Sequence, residues 1–325
     1  MGKHKVLIPQ PIAREGVQVL EDSGYTPVIL RSHDRPSILA HAADCSAILV
    51  RTAVIDRQII EKASALKVIA RHGVGLDNID LRAASERGIY VCNTPHANSN
   101  SVAEHTIGLM IAVAHQIVRA DKALRQGKFH VRNQYIGTEL AGKQLGLIGF
   151  GNIGRKVAEK AALGLGMKAV VYDPYLKGSA PFPYVQLQAS LEELLATSDF
   201  VSLHLPYSER LHHFINAEAF GKMKKGAIFV NAARGGLVDE QALCRALRSG
   251  HLAGAGLDCF EQEPPPDDHP FWQLERVVVT PHMAAHSQEA IVAMAVEAAQ
   301  EIVRVLEGAQ PKFWANRERS DAFFI

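Results

Sequence analysis

Arg234, Glu263 and His282 are the residue types that together can reduce a carbonyl next to a carboxylate. An arginine pairs with carboxylate and carbonyl oxygens. An imidazole gives a proton to the new alkoxide, and a carboxylate holds that imidazole in orientation. Each of the three follows a short apolar run that reads as a strand. Residues 228–231 lead into Ala232-Ala233-Arg234-Gly235-Gly236, residues 255–257 into Asp258 and then Glu263-Pro264, and residues 277–280 into Pro281-His282. A fourth run, 200–203, ends at His204-Leu205-Pro206. Taken singly, each polar residue reads as an ordinary loop residue. In doubly wound sheets, however, ligands sit outside the carboxyl ends of the strands, so these four ends are expected to converge on one crevice.

A second cluster reads as a nucleotide site. The run 145–148 enters Gly149-Phe150-Gly151-Asn152-Ile153-Gly154, and a helical pattern follows through Val157, Ala158 and Ala161. The first glycine permits a tight turn, the second lets a pyrophosphate approach the backbone, and the third lets helix and strand pack closely. The helix start, at Asn152 and Ile153, presents free amides and the positive end of the helix dipole to phosphates. Asp173 ends the next strand, where a carboxylate accepts hydrogen bonds from ribose hydroxyls and repels a 2′-phosphate. The expected cofactor is therefore NAD rather than NADP.

Eleven apolar runs, each followed by a helical pattern, must position these residues: 5–8, 28–30, 47–50, 68–70 and 90–92, then 145–148, 170–172, 200–203, 228–231, 255–257 and 277–280. Continuous apolar strands alternating with helices indicate parallel sheets covered on both faces. Eleven strands exceed one ordinary doubly wound sheet, so the expected fold class is α/β with two doubly wound parallel-sheet domains, of five and then six strands. A long helix from Ser101 to Leu124 separates them, with Ser101 and Glu104 at capping-box spacing. A second long helix spans 288–306, residues 127–141 read as an arm or loop, and residues 263–268 form an irregular turn.

Composition narrows the function classes. With 325 residues, 47% of them hydrophobic, the chain can bury two ordinary cores. Its 35 basic and 34 acidic residues leave a formal charge of +1 with no basic stripe, so nucleic acid is not an expected partner. Cys45, Cys92, Cys244 and Cys259 are scattered and read as reduced core thiols, and no metal site is expected from them. The N-terminus has no signal-peptide pattern, and the apolar stretch 107–113 is too short and too interrupted to span a bilayer. The expectation is a cytoplasmic protein without a membrane partner.

From about Ile48 to Ala290 the sequence resembles the D-isomer-specific 2-hydroxyacid dehydrogenase family. Arg71-His72-Gly73-Val74-Gly75-Leu76-Asp77-Asn78-Ile79-Asp80 is similar to its substrate-domain loop, and Asn98-Ser99-Asn100-Ser101-Val102-Ala103-Glu104 to its interdomain segment. Gly149 to Gly154 with Asp173 is similar to its NAD fingerprint. Asn231 to Gly235, Leu257 to Pro264, and Pro281-His282 are similar to its three catalytic blocks.

The resemblance implies a Rossmann NAD-binding domain at 101–286. It also implies a smaller flavodoxin-like substrate domain at 1–100, completed by 287–325. Arg234 would bind substrate and polarise the carbonyl, His282 would be the acid/base, and Glu263 its orienting partner. Backbone amides at Val74 and Gly75 would hold the substrate carboxylate. His204, Pro206, Ala232, Arg234, Asp258 and His282 would border the cofactor, with Asp258 near the nicotinamide carboxamide. The family also implies a homodimer joined through the cofactor domains. The expected reaction is hydride transfer between NAD(H) and C2 of a small 2-hydroxy or 2-oxo acid, D-specific. Alternatives are formate oxidation, which the family pattern ties to glutamine where Glu263 stands, and an NADH-sensing regulator resembling the C-terminal-binding corepressors.

Arg51-Thr52 resembles the Arg-Ser pair that 3-phosphoglycerate dehydrogenases direct at the far end of the substrate; a strand-end surface arginine is the other reading. Hydroxypyruvate, 3-phosphohydroxypyruvate, sulfopyruvate and branched 2-oxo acids all stay open. The regulatory domain of long phosphoglycerate dehydrogenases is not in this sequence, so serine feedback through it is not expected. The sequence departs from the family at Met283-Ala284-Ala285-His286, where two glycines and a small hydroxyl residue are usual, and at Leu211, where a threonine is usual. His286 reads as a polar edge residue or, with His72, as facing an anionic substrate.

Overall fold

In the central strands of each sheet, runs of Val, Ile, Leu and Ala without polar alternation are buried on both faces, and the loops that follow them carry the polar residues. The computed structural model describes residues 4–178 and 180–317. The chain divides into two units, Met1–Asn98 with His286–Ile325, and Ser99–Ala285.

The first unit contains β1 (Lys5–Ile8), α1 (Arg14–Asp22), β2 (Thr26–Ile29), α2 (Arg35–Ala42), β3 (Ala47–Val50), α3 (Arg57–Lys62), β4 (Val68–Arg71), α4 (Leu81–Glu86) and β5 (Tyr90–Cys92). Its parallel sheet has the order β2-β1-β3-β4-β5, the flavodoxin-like arrangement. In the second unit, α5 (Ser99–Ala114) and α6 (Ile117–Arg125) precede β6 (Gln144–Ile148), α7 (Asn152–Glu159), β7 (Lys168–Tyr172), β8 (Val185–Leu187), α8 (Leu191–Thr197), β9 (Phe200–Leu203), α9 (Ala217–Lys222), β10 (Ile228–Asn231), α10 (Glu240–Arg248), β11 (Gly254–Leu257) and β12 (Val277–Val279). The order β12-β11-β10-β9-β6-β7-β8 is the Rossmann arrangement with one further strand, and its direction of winding reverses between β6 and β9.

The last helix, α11 (Gln288–Leu306), packs on α1, β3, β4 and β5 of the first unit. Small residues allow this close approach: a Cβ on Gly16 would lie 2.7 Å from Ala295, and Ala298 and Ala299 are buried nearby. Ser287 caps α11 by accepting the Ala290 N–H at 3.1 Å.

Three expectations need correction. The second sheet has seven strands, not six. The extra strand, β8, is a three-residue edge strand paired only with β7, and its central Gln186 is exposed, so it offers no apolar run. The long helix from Ser101 breaks at Gln116, whose backbone is left-handed (φ 55°), and α5 and α6 diverge by 61°. The Gln116 amide donates to the Ile136 carbonyl at 2.8 Å and accepts from Arg119 at 3.0 Å, which anchors the following arm at the bend. The capping box does not form, because α5 starts at Ser99. Ser101 instead donates to the Ala284 carbonyl, while Glu104 accepts from Lys160 and Asn100. Among the described residues, no single helix is long and apolar enough to cross a membrane.

Candidate active site

The glycine loop turns at the carboxyl end of β6. Gly149 has φ +93°, and a Cβ there would lie 2.5 Å from the His204 carbonyl oxygen. At Gly154 a Cβ would meet the Gly149 carbonyl at 2.5 Å, whereas at Gly151 it would meet nothing within 4 Å. The outer glycines are thus required by packing, and the middle one borders open space where a pyrophosphate can approach. Gly151 caps α7 with no side-chain hydrogen bond, so no cap side chain competes for the amides of the first turn, beginning at Asn152 and Ile153. Asp173 accepts the Phe150 N–H at 2.8 Å with one oxygen and the Tyr175 N–H at 3.0 Å with the other, which ties the end of β7 to the loop. Each oxygen keeps a second lone pair for a ribose hydroxyl. These features fit a bound dinucleotide. Arg155, which follows the loop, is a cation the sequence reading passes over. It donates from Nε to the Phe150 carbonyl at 3.1 Å, and its position directly after Gly154 was the signal available.

His204 and Pro206 follow β9. Burial pushes the His204 imidazole down to about 3, so the ring is neutral near pH 7, and it lies 3.0 Å from the Ser202 hydroxyl.

The acid/base candidates sit beyond β10, β11 and β12. His282 Nδ1 and Glu263 Oε2 are 2.7 Å apart. The other Glu263 oxygen accepts the Phe260 N–H at 3.0 Å. Burial alone would raise the Glu263 carboxyl. The hydrogen bond and charge of His282, the Phe260 amide and the Arg234 charge outweigh it and hold the group below the usual carboxylate range. Arg234 is half-buried beside Ala232 and Ala233 and donates from one guanidinium nitrogen to the Ala233 carbonyl at 2.6 Å. Its loop is framed by Asn231, which accepts from the Ala233 N–H and donates to the Arg234 carbonyl. A Cβ on Gly235 would lie 1.9 Å from the Phe260 carbonyl carbon, so only glycine lets the Arg234 loop touch the backbone next to Glu263.

His282 itself has φ +49°, an uncommon conformation for a residue with a side chain. Asp258 lies beneath it, 1% exposed. Its carboxylate accepts the Met283 and Ala284 N–H groups at 2.8 Å each and the Thr280 hydroxyl at 2.7 Å. His105 on α5 approaches Thr280 at 2.9 Å. The resemblance implies a cofactor contact for Asp258, and the structure shows its carboxylate also holding the loop that carries His282. Thr280 and His105 were not singled out from the sequence. Their participation depends on sheet register and on a helix 175 residues earlier.

Arg51, Val74 and Gly75 belong to the first unit. Arg51 donates to the Pro11 carbonyl at 3.0 Å, and the Val74 carbonyl accepts from Asn93 at 2.8 Å. His72 is 4% exposed. Burial, reinforced by the charges of Arg51 and Arg71, pushes its imidazole down to about 4, and Nε2 donates to the Ile291 carbonyl. His72 is thus a buried, neutral residue of the first unit, which does not favour the alternative in which it faces an anionic substrate together with His286. His286 is exposed.

A glycine-loop Rossmann sheet and a flavodoxin-like sheet in one chain, with an Arg-Glu-His set at the Rossmann strand ends, define a dinucleotide-dependent oxidoreductase class. Residues 107–284 match the family described as "D-isomer specific 2-hydroxyacid dehydrogenase, NAD binding domain". The chain is 42% identical over 310 residues to the hydroxypyruvate reductase of Thermotoga maritima, covering 94% of this chain and 99% of that one. It is also 42% identical over 306 residues to the D-3-phosphoglycerate dehydrogenase of Methanocaldococcus jannaschii. That match covers 94% of this chain but spans only 58% of the relative's length. Among solved structures, a protein of Thermus thermophilus superposes with a TM-score of 0.89 at 36% identity, covering 96% of this chain and 99% of that one. The chain belongs to the D-isomer-specific 2-hydroxyacid dehydrogenase family, and its second unit carries the NAD-binding domain.

Proposed function

We propose that the chain catalyses reversible reduction of a small 2-oxo acid to the D-2-hydroxy acid, with NAD(H) supplying or accepting the hydride at C2. The observation that carries this reading is the 2.7 Å contact between His282 and an ionised Glu263, within reach of the Arg234 charge. Arg234 binds the substrate's carboxylate and polarises its carbonyl oxygen. In reduction His282 gives that oxygen a proton, and in oxidation it takes the proton of the alcohol. Glu263 holds the imidazole so that Nε2 faces the substrate and stabilises its protonated form. The Gly149-to-Gly154 loop, the α7 amides, Arg155 and Asp173 hold the dinucleotide, and His204, Pro206 and Ala232 border it. Residues 101–286 form the cofactor domain, and residues 1–100 with 287–325 form the substrate domain.

Val74 and Gly75 are assigned to the substrate carboxylate, and Arg51 to the far end of the substrate. The Thermotoga relative's name supports a hydroxypyruvate-type substrate, and the phosphoglycerate dehydrogenase relatives support one with a terminal phosphate. The test is steady-state turnover with NADH over a panel of hydroxypyruvate, 3-phosphohydroxypyruvate, sulfopyruvate, glyoxylate and branched 2-oxo acids. No turnover with any of them sinks the enzymatic reading. Arg51→Ala is expected to raise KM roughly ten- to hundredfold for members with an anionic far end, in keeping with about 1.5–3 kcal/mol for a charged hydrogen bond. Unchanged KM across the panel would leave Arg51 as a surface residue.

A further inference from the structure

Beyond the residues assigned above, the second unit holds His212, His213 and Glu261, whose ligand atoms all lie within 4.8 Å of one another. We infer that these three side chains form a binding site for a divalent transition-metal ion of the zinc class. Two imidazole nitrogens and one carboxylate oxygen are the ligand types zinc accepts, with a fourth position left to solvent.

The hydrogen bonds around the cluster set the lone pairs for this task. The Tyr207 hydroxyl is 3.4 Å from Glu209 Oε1, to which it donates, and 3.3 Å from His212 Nδ1. With its proton given to Glu209, the tyrosine oxygen accepts from His212 Nδ1–H. In the neutral ring this leaves the Nε2 lone pair pointing toward Glu261 Oε1, 4.0 Å away. His213 Nε2 lies 2.5 Å from the same oxygen. Two imidazole nitrogens thus lie near one carboxylate oxygen, and at the short His213–Glu261 contact a proton or a cation must lie between the two atoms. Glu261 is held from behind, its N–H donating to Glu240 Oε1 at 2.9 Å.

The backbone supplies an independent sign. His213 is one of three described non-glycine residues with positive φ, at +52°, and its N–H donates to the Gly236 carbonyl at 2.9 Å. Consecutive side chains on an extended backbone diverge to opposite sides. Here the two rings stack with centroids 3.9 Å apart and planes 22° apart, both turned to Glu261. A sparsely populated conformation held by its surroundings is a mark of a functional position. All three residues are partly exposed, so an ion can reach them from solvent.

The test uses the untagged full-length chain after chelation. Zn²⁺ is followed by calorimetry and by thermal unfolding, and Co²⁺ by its visible absorption. The expected result is one ion per chain in the micromolar range, an upward shift in unfolding temperature with Zn²⁺, and the absorption bands of four-coordinate Co²⁺. His212→Gln leaves the His213–Glu261 contact in place, and Glu261→Gln keeps the side-chain length. Each is expected to weaken binding at least tenfold and to abolish the cobalt bands, while the metal-free unfolding temperature stays within a degree or so of the parent. Absence of micromolar binding by the parent would overturn the assignment. So would equal binding by the parent and both variants, since the ion would then sit on other histidines.

Discussion

His282 is held at two points, and each predicts a separate behaviour. Glu263 fixes the ring, and Asp258 fixes the backbone that follows it. Because Glu263 is held below the usual carboxylate range, it stays ionised through neutral pH and loses its charge only as pH falls through that lowered value. Reduction needs the imidazole protonated, so its rate is expected to fall at high pH. Oxidation needs it neutral, so that rate is expected to fall at low pH. Glu263→Gln keeps the size and removes the charge that favours imidazolium, so the reductive profile should move to lower pH. His282→Ala should lose the ~10²–10⁴-fold of a positioned general acid, while NADH affinity measured by fluorescence survives. An unmoved profile in Glu263→Gln would break the pairing, and a nearly active His282→Ala would remove the proton donor. Asp258→Asn puts an NH₂ group where only acceptors fit, against backbone N–H groups that need a carboxylate. The expected loss is about 1.5–3 kcal/mol of unfolding free energy, together with lower kcat as the left-handed turn at His282 loosens. Denaturant unfolding and kcat both unchanged would remove Asp258 as the anchor of the loop. The sequence allowed Glu263 and His282 to be singled out as candidates because their types and strand-end positions suit the chemistry, and the structure brings the two side chains to 2.7 Å. The part of Asp258 that the sequence does not show is its hold on the loop, because the amides at 283 and 284 come together with it only through the pairing of β11 with β12.

At the scale of elements, the strand–glycine loop–helix unit with Asp173 is the part that sequence describes best. Each glycine has a local reason, and the spacing to the next strand end is set by one βαβ turn. Asp173 also links to the loop through Phe150 N–H, so its carboxylate is already oriented for the ribose contact proposed for it. Pro174 and Tyr175 follow it, and neither supplies a cation for a 2′-phosphate. A preference for NADH over NADPH is the expected outcome, measured as kcat/KM with each cofactor at fixed 2-oxo acid. Comparable efficiencies would end that reading, and Asp173→Ala should narrow the difference mainly through the KM for NADH. The strands at 47–50, 200–203 and 228–231 keep the bounds read from their sequence, because continuous apolar runs have few other uses in a parallel sheet. The elements that were misread are those decided at a distance. Gln116 ends α5 by bonding to a carbonyl twenty residues later, and periodicity runs through such a break unchanged. Ser101 and Glu104 match a local capping pattern, but both lie inside the helix and bond elsewhere, to Ala284 and Lys160.

For the molecule as a whole, the unanswered demand is apolar surface. In the second unit Ile117, Val118 and Leu124 of α6 are 50–57% exposed, and Phe129 and Ile136 of the following arm are 65% and 77% exposed. Gln116 and Arg119 bind the arm to the helix: Gln116 reaches the Ile136 carbonyl, and Arg119 lies 3.9 Å from the Tyr135 ring centroid. Five large side chains on two linked segments are more than the scattered apolar residues expected of an ordinary free surface. They support the homodimer through the cofactor domain that the family resemblance implies, with α6 and the arm as its face. A stable pair of this kind covers on the order of 800 Å² on each partner. Light scattering on the eluted protein should give twice the 35.4 kDa chain mass at micromolar concentration. Phe129→Glu with Ile136→Glu places two charges in that face, where desolvation without partners opposes association. The double variant should therefore elute as a monomer or dissociate at much higher concentration, while circular dichroism and NADH binding by the glycine loop remain. A parent that elutes as a monomer, or a double variant that stays dimeric, would require a different face, because these side chains would then gain nothing from a second copy.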